Sequence, residues 1–323
     1  MQLQNTARIT NLSYWLNWRV LLCSASVLLP MIIALFIIWK REGSRHLTPG
    51  KGENQQDGNR ILCGDEAWKP CLKEIHPVCL LVYRVAAFFL LVVTLVAKIL
   101  TNTSAIYLYY TQWTFTLVTI YFGCASMISV YGCHQFQKSR RSTFNFNFAG
   151  TDAEQGSRTP LLHQNSTNLS CENRVIGILS YIIEVLFQTN AGAVMLTDSV
   201  YWFVIFPFLT IKDYDLSFMT VNMHTLNVVL LLGDTALNCL QLPWFRISFF
   251  VLWTGAFVIF QWILHAFVSI WWPYPFLDLS LPYAPLWYFV MALMHIPCYG
   301  LFVLIVDLKH YFLSKWFPSS HQR

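Results

Sequence analysis

The sequence predicts an all-α integral membrane protein, a bundle of seven or eight transmembrane helices. Three observations carry that expectation. Of the 323 residues, 56% are hydrophobic and only 11% charged, against about 25% charged in ordinary soluble domains. The mean hydropathy is +0.48, and several windows exceed the ~18 consecutive apolar residues that read as a membrane span. Lastly, the basic residues gather in loops beside those windows, a pattern of membrane orientation and not of nucleic-acid binding.

Taken in order, residues 1–17 form a polar tail, and Arg19–Trp39 supplies the first span, closed by Trp39-Lys40-Arg41. Without a small-residue cleavage site behind it, this span reads as a retained helix and not as a secretory signal. Residues 18–133 make a three-helix membrane region interrupted by a hydrophilic loop at 40–77, which holds DEAWKPCLKEIHP (65–77). Its second and third spans, Val78–Leu100 and Ser104–Tyr131, are joined so tightly that they must form an antiparallel hairpin. Tyr107, Tyr109, Tyr110 and Trp113 at the start of the third span suit the interfacial aromatic belt. Residues 134–174 read as a disordered cytosolic loop, rich in Ser, Thr and Asn, with Lys138, Arg140, Arg141 and Arg158.

Residues 175–308 form the C-terminal helix bundle, followed by a tail at 309–323. Val175–Ile211 is 37 residues long with almost no charge, about 55 Å as one helix and too long for a ~30 Å core. Thr189-Asn190-Ala191-Gly192 is the natural break, so two short helices in a tight hairpin are expected there, with a single tilted span plus an interfacial segment as the alternative. Then follow Met219–Leu240, Ile247–Trp271 and Pro285–Leu308, the last two separated by the proline-rich WWPYPFLDLSLPYAP (271–285). With the two basic loops cytosolic, the N-terminus lies outside. Seven spans then put the C-terminal tail inside, and eight put it outside.

Polar side chains within this bundle mark the candidate site. Thr220, His224, Asn227, Asp234 and Asn238 fall on one stripe of about 80° at 100° per residue. Tyr181, Glu184 and Gln188 make a second stripe, and Gln261, His265 and Ser269 a third. Such groups cost several kcal/mol in hydrocarbon unless they meet partners, so the stripes are expected to face one another inside the bundle. Glu184, Gln188, Asp198, Asn227, Asp234 and His265 are the candidate binding residues. The carboxylates and histidines suit either an acid–base site or a proton or solute path; Asn227, Asn238 and Gln261 equally suit plain interhelical hydrogen bonding. His295, before Ile296-Pro297, and His76, before Pro77, read as kink or interface residues. The nine cysteines include no C-x-x-C pair and several lie within apolar runs, which points away from a disulfide framework, a metal site or any cofactor.

Two pieces, LFQT with LTDSVYWFVIFPFL (186–209) and NMHT (222–225), together with Trp-x-Tyr-Pro at 272–275, resemble the androgen-induced family of membrane lipid hydrolases and the related rolling-stone proteins. The resemblance covers about Val175–Leu308. YYTQWTFTLVTIYFG (109–123) and FQTNAGAVMLTD (187–198) are similar to a plant family of multi-pass transmembrane proteins over the whole chain. The hydrolase likeness implies cleavage of fatty-acyl esters by an intramembrane hydroxyl and an imidazole that accepts its proton. His224 matches the family histidine. The family threonine falls at Tyr181, with Ser180 beside it, so Ser180 and Thr189 become the candidate nucleophiles, with Thr197 a further hydroxyl. On this reading the partners are membrane lipids, one of them a substrate, in the endoplasmic reticulum or plasma membrane. A transporter or proton channel, and a non-catalytic membrane adaptor working through its loops, are the alternatives.

Overall fold

The computed structural model describes residues 12–43, 67–101, 106–149, 166–208, 218–268 and 270–321. Among these, the architecture is helical throughout, with two isolated β-bridges and no strand. Seven long helices follow one another: α1 Trp18–Ile38, α2 Pro77–Thr101, α3 Tyr110–Ala149, α4 Ser166–Val200, α5 Phe218–Leu237, α6 Ile247–Phe267 and α7 Ala284–Trp316. Six of them, all but α5, contain stretches long and apolar enough to cross a membrane. Large apolar side chains such as Leu21, Leu29, Phe89, Val93, Ile263 and Leu304 stay exposed on the outside of the bundle. That is the surface expected of helices solvated by lipid tails.

The expected hairpin within Val175–Ile211 is not there. α4 runs unbroken through Thr189–Gly192 and passes into a π-helical turn, Tyr201–Ile205. The residues that suggest a break act instead as close-packing and hydrogen-bonding positions. The Thr189 hydroxyl donates to Val185 O at 2.7 Å, back along the same helix. The Asn190 amide donates to Leu117 O on α3 at 3.3 Å. A Cβ on Gly192 would lie 2.3 Å from Cδ1 of Phe250 on α6, so only glycine lets these helices approach so closely. Tertiary contact has overridden local propensity, as it does throughout helix packing.

α4 packs against α3, α5, α6 and α7 and stands at the centre of the bundle, while α5 also contacts α2 and α3, and α1 leans on α6 and α7. α2 and α3 pair as the short link predicts. The hydrophilic region 134–174 is partly helical: α3 continues to Ala149 and α4 begins at Ser166. At 40 residues α3 is about 60 Å long and must project well beyond a ~30 Å core. The remainder of that region, most of the 40–77 loop and residues 209–217 lie outside the described residues. The WWPYPFLDLSLPYAP segment contains only a short 3-10 turn, Pro275–Leu277, as its prolines require.

Candidate functional site

His224, Asn227, Asp234, Asn238, Gln188, Gln261 and His265 of the three polar stripes are buried, Tyr181 and Glu184 are half-buried, and the side chains of Thr220 and Ser269 lie outside the described residues; the stripes do not converge on one site. They separate into clusters along the bundle.

At one level, Asp234 of α5 meets Arg84 of α2. Both side chains are wholly buried, with Nε 2.8 Å from Oδ1. Arg84 also donates to Ala67 O and to Ser129 Oγ, each at 2.8 Å. Tyr121 and Asn238 both donate to Oδ2 of Asp234, the latter at 2.7 Å. Every oxygen of this carboxylate is therefore occupied.

A second cluster surrounds Arg246 at the start of α6. Its guanidinium lies 3.5 Å from both Glu42 and Glu184, and donates to Gln188 Oε1 at 2.9 Å. Tyr181 donates its hydroxyl to Glu42 and stacks beneath Arg246. The Tyr181–Glu184–Gln188 stripe thus serves this ion cluster. Gln188 also donates to Gln241 O at 2.9 Å.

His265 lies elsewhere again. Its Nδ1 is 2.7 Å from Gln261 O, and its ring stacks on Trp272 at 3.7 Å between centroids. Gln261 donates to Leu108 O at 2.7 Å, tying α6 to the start of α3.

The remaining pair is different in kind. His224 of α5 places Nδ1 3.4 Å from Oδ1 of Asp198 on α4, and its ring stacks flat on Tyr201, 3.8 Å between centroids. Both side chains are almost completely buried. Yet neither Asp198 oxygen nor His224 Nδ1 has a hydrogen-bond partner among the described residues. One turn further along α5, Asn227 is wholly buried with both amide atoms unpartnered. Buried polar groups are nearly always satisfied, so this knot of exceptions is the candidate site.

His224 also lines a partly open cavity bordered by α3, α4, α6, α7 and the 274–277 turn. Its wall is apolar apart from hydroxyls such as Thr197, Thr254 and Tyr274, and His295. Thr197 Oγ1 lies 3.2 Å from Thr114 Oγ1 and donates to Ala193 O at 2.7 Å. A second space shares Thr254, Val258, Phe276, Leu277, Met291 and His295 with it, and is bordered by Ser26, Val27 and Pro30 of α1. The two spaces adjoin through these shared residues.

Of the sequence candidates, the structure pairs His224 with Asp198, with Asn227 one turn along α5, and gathers Glu184 and Gln188 about Arg246. Ser180 and Thr189 precede Asp198 by eighteen and nine residues on α4, about 27 Å and 13 Å along the axis, too far for a hydroxyl to reach the same imidazole. Thr197 is the α4 hydroxyl that shares the His224 cavity. His295, read from the sequence as a kink residue, lies on the cavity wall with Nε2 unpartnered, close over the ring of Phe250. Arg84 and Arg246 were legible as cations at or inside apolar runs, a signal as strong as any of the carboxylates.

No C-x-x-C pair announces a metal site, yet the fold brings Cys71, His310 and His321 within 4.8 Å of one another through their ligand atoms. Comparison with family models, curated proteins and solved structures finds no match for this chain.

Proposed function

We propose that this multi-pass membrane protein takes a lipid acyl chain into these adjoining apolar spaces and hydrolyses an acyl ester at His224. The observation that carries the reading is the buried Asp198–His224 pair on the wall of an otherwise apolar cavity. With Nδ1 turned to Asp198, Nε2 is the ring nitrogen left to take a proton. In the reaction, a water loses its proton to Nε2 as its oxygen attacks the ester carbonyl, and the same proton then passes to the departing alkoxide. Where the Thr197 hydroxyl attacks first, the alcohol leaves in the same way and a water, deprotonated by the same nitrogen, then cleaves the acyl-threonine and releases the fatty acid. Asp198 orients the imidazole and offsets its charge while it is protonated. The Met-His-Thr resemblance at 223–225 supports the same assignment.

Purified protein in detergent, given hydroxy-fatty-acid esters, should release fatty acid. His224→Ala is expected to slow release by about 100-fold or more, the usual contribution of a positioned general base. Asp198→Asn should slow it less, while Ser180→Ala and Thr189→Ala leave it unchanged. Equal turnover by wild type and His224→Ala would remove the histidine from the chemistry, and absence of turnover in wild type would remove the hydrolase. Transport has no comparable support: Asp198, Asp234, Glu184 and His265 occupy separate clusters and do not line one path.

The proposed topology has seven spans, α5 among them, with the N-terminus outside and the C-terminus in the cytosol. Parity supports it. Cys71, after α1, donates its N–H to Leu237 O at the end of α5 at 2.8 Å, so an even number of crossings separates them. α2, α3 and α4 are three, and α5 makes the fourth. Lys73 N–H, in turn, donates to Ser320 O beyond α7 at 2.9 Å, two crossings further on. Lys40, Arg41, Lys138, Arg140, Arg141 and Lys315 all fall on that shared face, the cytosolic one by the positive-inside rule. Asn165 and Asn168 should accordingly carry no glycan. A glycosidase-sensitive mobility shift abolished by Asn165→Gln/Asn168→Gln would invert the assignment.

A further inference from the structure

On the face opposite the hydrolytic cavity, residues 67–76 lie as a strap between the end of α5 and the C-terminal tail. Isolated bridges pair Pro70 with Asn238 and Leu72 with His321. The Ser320 hydroxyl donates to Glu74 Oε1 at 2.7 Å, and Cys239 Sγ donates to Pro70 O at 3.5 Å. This lacing sets Cys71, His310 and His321 around a common point, their ligand atoms all within 4.8 Å of one another. Cys71 Sγ is 3.9 Å from His310 Nδ1, and His310 Nδ1 is 3.2 Å from His321 Nε2.

We infer that Cys71, His310 and His321 form a zinc site that clasps the strap, α7 and the C-terminal tail together. The separations fit the ion. With Zn–N near 2.05 Å and Zn–S near 2.3 Å, a tetrahedron has edges of about 3.3 Å between two nitrogens and about 3.6 Å between nitrogen and sulfur. The observed 3.2 Å and 3.9 Å depart from these by a few tenths of an ångström. A thiol with two imidazoles selects zinc over calcium or magnesium, which take oxygen ligands.

Cys71 and His310 are buried and His321 half-buried. The three ligands come from the strap, α7 and the C-terminal tail, which is why no local spacing reveals them. Three protein ligands leave one tetrahedral position for a water.

Full-length protein, purified in detergent under reducing conditions without chelator, is expected to retain about one zinc per chain by elemental analysis. Cys71→Ser and His310→Ala should each lose most of it. Cobalt exchanged into the wild type should show intense thiolate-to-metal absorption that both variants lack. Should the variants fail to fold, the wild type still decides the matter. Chelation should lower its unfolding temperature, and added zinc, but not magnesium, should restore it. A wild type that takes up no zinc overturns the inference, as does zinc retained equally by Cys71→Ser, or a Cys71–Cys239 disulfide in thiol-blocked protein. Ester hydrolysis at His224 is read in a separate assay, so either result stands without the other.

Discussion

Arg84→Ala should destabilise the protein by about 3–5 kcal/mol, the usual cost of stranding one member of a buried ion pair. Removing the guanidinium leaves Asp234 with Tyr121 and Asn238 as donors and no counter-charge. It also frees Ala67 O and Ser129 Oγ, so α2, α3 and the strap lose a shared anchor. Asp234→Ala should cost a similar amount for the mirror-image reason. The double variant should cost clearly less than the sum, because the two partners stabilise only each other's charge. Thermal unfolding in detergent gives the cycle. Additive losses would mean that the pair is not coupled, and losses under about 0.5 kcal/mol would place it among ordinary surface substitutions. Arg84→Lys should not rescue, since an ammonium cannot reproduce the fork that holds a carboxylate and two further acceptors.

Arg246→Ala is the second large loss expected. It leaves Glu42 and Glu184 facing each other without the cation between them, and Gln188 Oε1 without its donor. Glu184 is about a third exposed, so water tempers the repulsion, and about 2–3 kcal/mol is expected, between the buried and exposed limits. The test is partial rescue: Arg246→Ala combined with Glu42→Gln should recover stability lost by Arg246→Ala alone. A double variant less stable than the single one would show that the carboxylates do not depend on Arg246. Hydrolysis at His224 should be largely unaffected at permissive temperature. Asp198 lies fourteen residues beyond Glu184 on α4, about 21 Å away.

The helical membrane class and most span positions could be read directly, because uninterrupted apolar runs in hydrocarbon admit little besides helix. α4 was misread for an instructive reason. Thr-Asn-Ala-Gly is a turn in water, but between membrane helices small residues allow contact and the Thr hydroxyl bonds its own backbone. The stripe on α5 was correctly read as buried, yet burial on one helix does not tell which partner each residue meets. His224 faces α4 and Asp234 faces α2, although both lie on the same 80° sector. The identity of those partners depends on helix order in space, which periodicity does not encode. Arg84, alone in an apolar run, was the sharpest overlooked signal, since a cation at that depth must have an anion waiting. The cysteine–histidine group was beyond reach for a different reason, as its members are separated by up to 250 residues.

α1 is the least embedded of the candidate spans, with 11% of its most apolar window buried. Ser26, Val27 and Pro30 of this helix border the second apolar space. On the hydrolase reading proposed above, a substrate entering beside α1 comes from hydrocarbon and not from water. For a guest arriving this way the relevant concentration is its mole fraction among neighbouring lipids, and its aqueous solubility drops out of the rate. Saturation should follow dilution of the substrate with inert lipid or detergent at fixed total amount, the behaviour of a reaction confined to two dimensions.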